Sequence, residues 1–288
     1  MASRVVARRT VLRVTDGRAR ARSDQLAAEE PLEIRVNGDA VSVTMRTPGD
    51  DFDLALGFCL TEGILASPDE VATIRYCATQ PGPYTGEFNV LDLVTRTAQP
   101  VAPSLRRNVY TTSSCGLCGT ASIAAVRKRA PSVADDPVRI TVETLLQLPA
   151  RLREAQAVFA RTGGLHAAAL FTADGELRCL REDVGRHNAV DKAIGWAATN
   201  KALPLSGHVL MVSGRVAFEI AQKALIAQVP VIAAVSAPSS LAVELAEQAG
   251  MTLAGFVRGS SLNLYTGADR VVLAQYEGEQ PPSSAVPR

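Results

Sequence analysis

Long apolar runs are missing from this chain. Although 47% of its 288 residues are hydrophobic, no stretch approaches the roughly 18 apolar residues that a membrane-spanning helix needs. The arginine-rich start is not followed by the apolar segment of a secretory signal peptide, so a cytoplasmic protein with no membrane partner is expected. An excess of one charge is also lacking. Thirty Lys and Arg stand against 29 Asp and Glu, and a net charge of +1 argues against a general nucleic-acid binder. Neither a GxGxxG nor a P-loop spacing occurs, which excludes an ordinary dinucleotide or nucleotide-hydrolysing site. Cysteines number five, an odd count that fits poorly with a secreted disulfide scaffold.

Two of those cysteines lie three positions apart in Ser114-Cys115-Gly116-Leu117-Cys118-Gly119. Ile123 and Val126, with small residues between, continue at helical spacing, which places the pair at a helix N-terminus. Unpaired amides and the helix dipole favour a thiolate there. From Leu93 to Ala134 there is no Asp or Glu, whereas Arg96, Arg106, Arg107, Arg127, Lys128 and Arg129 all fall in that window. Acidic, nucleophilic thiols are therefore expected at Cys115 and Cys118. A structural disulfide or half of a zinc site is the plainer alternative. Structural zinc needs four ligands, and the chain has no second close Cys pair and no His pair, so no metal is expected.

Residues 1–30 are basic without a sustained period and predict a loose, solvated tail, with a second flexible tail at 276–288. Residues 31–135 predict a small α+β part carrying the Cys pair. Leu32, Ile34 and Val36 alternate, Asn37-Gly38 is a hairpin turn, and Val41, Val43 and Met45 answer on the returning strand. A helix from Asp51 to about Leu60 and a strand near residues 87–94 follow. Residues 136–275 predict an α/β part, with a helix from Val142 to about Ala160, strands at 165–171 and 177–180, and a helix entered through Arg181-Glu182-Asp183-Val184-Gly185-Arg186-His187-Asn188-Ala189-Val190-Asp191-Lys192. On that helix Asp183, His187 and Asp191 fall at i, i+4 spacing, so His187 paired with either acid is a candidate proton carrier or ligand holder, against the reading of a solvated helix start. Strands at 209–212, 229–235 and 252–257 alternate with helices at 215–227 and 239–249, the pattern of a parallel sheet whose ligands bind beyond the carboxyl ends of the strands. Those ends read Ser213-Gly214-Arg215, Ser236-Ala237-Pro238 and Arg258-Gly259-Ser260-Ser261, chemistry suited to phosphate oxygens.

Taken together, Thr47-Pro48-Gly49-Asp50-Asp51, Thr61-Glu62-Gly63, the Cys115 to Cys118 stretch, Thr162-Gly163-Gly164-Leu165-His166, the 181–192 stretch, Ser213-Gly214-Arg215 and Phe256-Val257-Arg258-Gly259 resemble the formate dehydrogenase accessory sulfurtransferases, the FdhD family. The match runs in order over about residues 31–268. The resemblance implies a cytidine-deaminase-like mixed sheet with flanking helices. It also implies sulfurtransferase activity: sulfur passes from a cysteine desulfurase to the molybdenum cofactor, Mo-bis(molybdopterin guanine dinucleotide), before the cofactor enters formate dehydrogenase. Cys115 is the implied persulfide carrier, with Cys118 resolving or sharing the sulfur. Phe256, Val257, Arg258, Gly259, Ser260 and Ser261 fall on the family's cofactor stretch, and Arg215, Ser236, His166 and His187 are the further candidates for holding it. A homodimer is the expected assembly. No histidine has a Glu two positions later, as a zinc deaminase would require. A thiol-disulfide oxidoreductase and a non-catalytic cofactor chaperone are the competing readings.

Overall fold

A computed structural model of the chain describes residues 5–77, 88–97 and 132–273. The Cys115 and Cys118 pair, and the helix expected after it, lie outside the described residues.

The expected basic tail is corrected: it forms a ribbon of β1 (Val6–Thr15) and β2 (Arg18–Ala27), paired antiparallel across all ten residues. Asp16 and Gly17 both have positive φ, the turn geometry that matches strand twist, and most of the ribbon is exposed. Cross-strand hydrogen bonding, which needs no apolar period, explains why the sequence pattern does not show it.

The second sheet runs β4-β3-β6-β5, from β3 (Glu30–Val36), β4 (Asp39–Arg46), β5 (Val71–Tyr76) and β6 (Val90–Thr95), with α1 (Asp51–Thr61) between β4 and β5. Leu32, Ile34 and Val36 are buried as their alternation predicts. The returning strand departs from expectation. A bulge opposite Ile34 and Arg35 inserts Val41 into the core and reverses the alternation after it, so Met45 is 48% exposed.

The third sheet is the largest. The chain enters it through β7 (Ile140–Thr141), α2 (Val142–Ala155) and α3 (Ala157–Thr162), then runs β8 (His166–Thr172), β9 (Leu177–Asp183), α4 (Arg186–Thr199), β10 (His208–Val212), α5 (Phe218–Ile226), β11 (Val231–Ala234), α6 (Ser240–Ala249), β12 (Thr252–Arg258) and β13 (Ser261–Thr266), ending in β14 (Val271–Val272) beside β7. Strand order is β13-β12-β11-β10-β8-β9. The central β10, β11 and β12 are parallel, and β8, β9 and β13 are antiparallel to their neighbours. Alternate residues feed two cores. Ala168, Leu170, Leu210 and Val212 pack under α4, α5 and α6, whereas Ala169, Phe171, Val209 and Met211 pack under Leu145, Leu148 and Leu152 of α2.

Two expected helices are shorter than their patterns. The 142–160 helix breaks at Gln156 because the Glu182 carboxylate accepts the Val158 and Phe159 amides at 2.9 and 2.7 Å, capping a fresh helix start. The helix expected from Arg215 begins at Phe218, since Val216 instead bridges to Pro238 in the neighbouring loop.

The sheets are joined through α1 and α4. Nine residues of α1 are buried, because it lies against its own sheet on one side and α4 on the other. Glycine permits the crossing. A Cβ on Gly57 would lie 1.9 Å from the Asp191 carbonyl oxygen, and one on Gly195 would lie 1.8 Å from that of Asp53.

Candidate functional site

Much of the charge in the motif stretches holds the fold together. Arg46 donates from Nε and Nη2 to the two oxygens of Asp51 at 3.1 and 2.9 Å, and Tyr76 donates to the same carboxylate. Asp183 is fully buried, with Lys192 Nζ 2.8 Å away and the Thr47 amide, Gly185 amide and Asn188 side chain also donating to it. Lys223 Nζ lies 2.9 Å from Asp191 and 3.0 Å from Glu62, and Thr61 donates to Asp191 at 2.8 Å. Burial pulls the Lys223 pKa down, but the Asp191 and Glu62 carboxylates more than offset it and raise it above the ordinary lysine value. These networks cross from α1 and its flanking loops to α4 and α5, so every member is paired as a buried charge requires.

The pairing expected for His187 is therefore corrected. Asp183 ends β9 rather than joining the helix, and both acids are committed to lysines. The acid near His187 is Glu219, with Oε2 4.0 Å from Nε2. Among the described residues, His187 Nε2 is buried without a hydrogen-bond partner, and so is Nε of the adjacent Arg186. Burial first, then the positive charges of Arg186 and Lys223, hold the His187 pKa down at about 4. His166 is shifted downward by burial and Arg186, so both imidazoles are neutral at pH 7.

Chain topology collects the remaining candidates on one edge. His166 opens β8 at the carboxyl end of β10, where the Ala167 amide donates to Ser213 Oγ at 2.9 Å and the Ser213 amide returns a bond to the Ala167 carbonyl. A Cβ on Gly214 would lie 3.2 Å from His166 Nδ1 and 3.8 Å from Arg186 Cβ, so this glycine lets the first turn of α4 and the start of β8 close on the β10 loop. Ser236 follows β11, and its carbonyl accepts the Phe256 amide at 3.2 Å. Phe256 has φ +52 at a bulge in β12, a backbone conformation unusual for a bulky residue. The Arg258 guanidinium lies 5.4 Å from the Phe256 ring centroid, and Arg258, Gly259, Ser260 and Ser261 are exposed at the turn into β13. Val257 is buried in the core beneath α2, which leaves only its backbone for a ligand. From β8 to β12 this rim spans about 14 Å at roughly 4.8 Å per strand. Arg215 is exposed on it.

Glu219 joins this edge without having been named from the sequence, and Arg186 and Gly214, named there only within motif stretches, join it as well. Glu219 and Lys223, the two charged residues of a mainly apolar helix and four positions apart, are the signal that could have found Glu219. The rim offers guanidinium groups, hydroxyls and neutral imidazoles, a donor set for phosphate and polar heterocycle edges.

The FdhD/NarQ family model matches residues 27–272. The chain belongs to the FdhD/NarQ family. Its relatives include the sulfur carrier protein FdhD of Streptomyces coelicolor, 58% identical over 96% of this chain and 99% of that protein. The sulfur carrier protein FdhD of Mycobacterium tuberculosis is 55% identical over 87% of this chain and 92% of that protein. A putative formate dehydrogenase accessory protein from Desulfotalea psychrophila superposes with a TM-score of 0.72, covering 93% of this chain and 100% of that one at 20% identity. That likeness supports the mixed α/β fold with several sheets and flanking helices. Among the described residues, no helix is long and apolar enough to cross a membrane.

Proposed function

We propose that this protein is a cytoplasmic sulfurtransferase that carries sulfur as a persulfide on Cys115. The sulfur comes from a cysteine desulfurase and goes to the molybdenum cofactor before insertion into formate dehydrogenase. The reading is carried by the 58% identity, over 96% of the chain, to a protein described as a sulfur carrier. Loading is a thiol exchange: the Cys115 thiolate attacks the outer sulfur of the desulfurase persulfide, a new S–S bond forms, and the desulfurase thiolate leaves. The acid-free basic window around the pair favours the thiolate that begins this step.

The cofactor is substrate here. The rim supports assigning its guanine dinucleotide to the carboxyl edge of β10, β11 and β12, with Arg215 and Arg258 supplying charge to phosphates and Ser236, Ser260 and Ser261 supplying hydrogen bonds. His166, His187 and Arg186 are assigned to its polar groups, because two of them hold buried nitrogens with no hydrogen-bond partner among the described residues. In this reading residues 31–135 bring the thiols and residues 136–275 bind the cofactor. The order β9-β8-β10-β11-β12, with β8 antiparallel to β10, supports a cytidine-deaminase-like sheet.

The test is incubation with a cysteine desulfurase and isotopically labelled cysteine, followed by mass spectrometry. Wild type gains one labelled sulfur on the peptide containing Cys115, and Cys115→Ala gains none. Labelling of Cys115→Ala to the wild-type level overturns the carrier assignment.

A further inference from the structure

The arginines of the first thirty residues are sorted by the β1–β2 ribbon. Directly paired residues share a face, and the pairs Arg13 with Arg20, Val11 with Arg22, Arg9 with Asp24 and Thr15 with Arg18 put five arginines on one side. Among the described residues, the ion pair these five make is Arg22 with Asp24, at 3.6 Å. The opposite face presents Leu12 and Val14, 72% and 65% exposed. Ten paired residues make a ribbon about 33 Å long. Contacts at its base hold it, through the Ala28 amide to the Val5 carbonyl and Arg161 Nε to Gln25.

Charge is segregated accordingly. Residues 1–28 contain seven arginines and two aspartates, so against the chain's +1 the remaining 260 residues carry a net −4. We propose that the arginine face of this ribbon is a docking surface for a partner protein presenting clustered carboxylates. Guanidinium forks match carboxylates in paired geometry, and five of them along one ribbon form a linear acceptor for an acidic strip. Other anions fit less well. A nucleic acid would engage the arginines but would leave Leu12 and Val14 in water, and its phosphates would be repelled by the acidic body. A lipid surface is flat, so it meets either the apolar face or the arginine face of the ribbon, not both. A partner protein can seat the arginines on its acids and wrap the ribbon to cover the apolar side. An isolated two-stranded ribbon is marginal in water, so such a partner also adds to its order.

The experiment measures fluorescence anisotropy of a labelled polyglutamate peptide with the full chain. Arg13→Gln/Arg20→Gln/Arg22→Gln is expected to weaken binding about tenfold, each exposed charge contact being worth roughly two- to threefold. Lysine at the same three positions keeps the charge and is expected to stay within about threefold of wild type. Arg139→Gln/Arg178→Gln, which removes exposed arginines elsewhere, is expected to change binding less than about twofold. Wild-type affinity in the glutamine triple variant, equal loss in the lysine variant or in the control, or tighter binding of short duplex DNA or phosphatidylglycerol vesicles at the same ionic strength would each overturn the proposal.

Discussion

Replacing Gly195 with alanine separates two effects of opposite sign. In a helix interior, Gly→Ala by itself stabilises by about 1 kcal/mol, because alanine loses less backbone freedom on folding. Here the new Cβ would lie 1.8 Å from the Asp53 carbonyl oxygen and 2.6 Å from its carbonyl carbon. Real Cβ contacts essentially never fall below 3.0 Å, so α1 and α4 must part by about 1.2 Å at this point. The obstructing atoms are backbone, which cannot rotate away. Separation also pulls on the Asp191–Lys223 and Asp183–Lys192 pairs, which sit on α4 and at its entry and tie it to neighbouring elements. Overpacking against a rigid neighbour costs about 3 kcal/mol or somewhat more, so a net loss of about 2–3 kcal/mol is expected. At about 2.1 cal/mol/K per residue the unfolding entropy of this chain is roughly 0.6 kcal/mol/K, which converts that loss to a Tm lower by about 3–5 °C. Scanning calorimetry of the purified variant reads this directly. A Tm equal to or above wild type would refute the close crossing, since only the propensity gain would then remain.

Lys192→Met leaves Asp183 buried without its cation and is expected to cost about 3–5 kcal/mol in urea unfolding, and a loss below about 1 kcal/mol would rule out the buried pair. His187 is neutral in the fold, with its pKa near 4, but protonates near 6.5 when unfolded, so the stability it confers is complete above about pH 6.5 and is lost as pH falls toward 4. The loss is at most about 3 kcal/mol, and His187→Gln should flatten the stability–pH slope in that window; an identical slope in the variant counts against the assignment. Arg258→Ala should weaken guanine nucleotide binding by roughly ten- to a hundredfold in calorimetry, the loss of one charge-assisted hydrogen bond, while sulfur loading on Cys115 persists. Unchanged affinity would remove the 256–261 turn from the cofactor rim.

The sequence by itself determined the elements whose neighbours are close along the chain. Asn37-Gly38 between alternating runs specified the β3–β4 hairpin, and the alternation of strand and helix from residue 209 onward specified three parallel strands whose carboxyl ends carry Arg215, Ser236 and Arg258. The motif stretches were enough to point to the family. Only the tertiary structure decided what the charged residues of those stretches do. Asp183 and Asp191 look like part of a polar helix face in one dimension, yet Asp183 accepts from Thr47, 136 positions away, and Asp191 from Thr61 and Lys223, 130 and 32 positions away. Spacing within a helix cannot reveal a partner on another element, and burial makes that distant partner obligatory. The same holds for the ribbon. Its ten pairings come from backbone groups that leave no apolar period, so composition shows a basic segment, whereas the register alone places five arginines on one face.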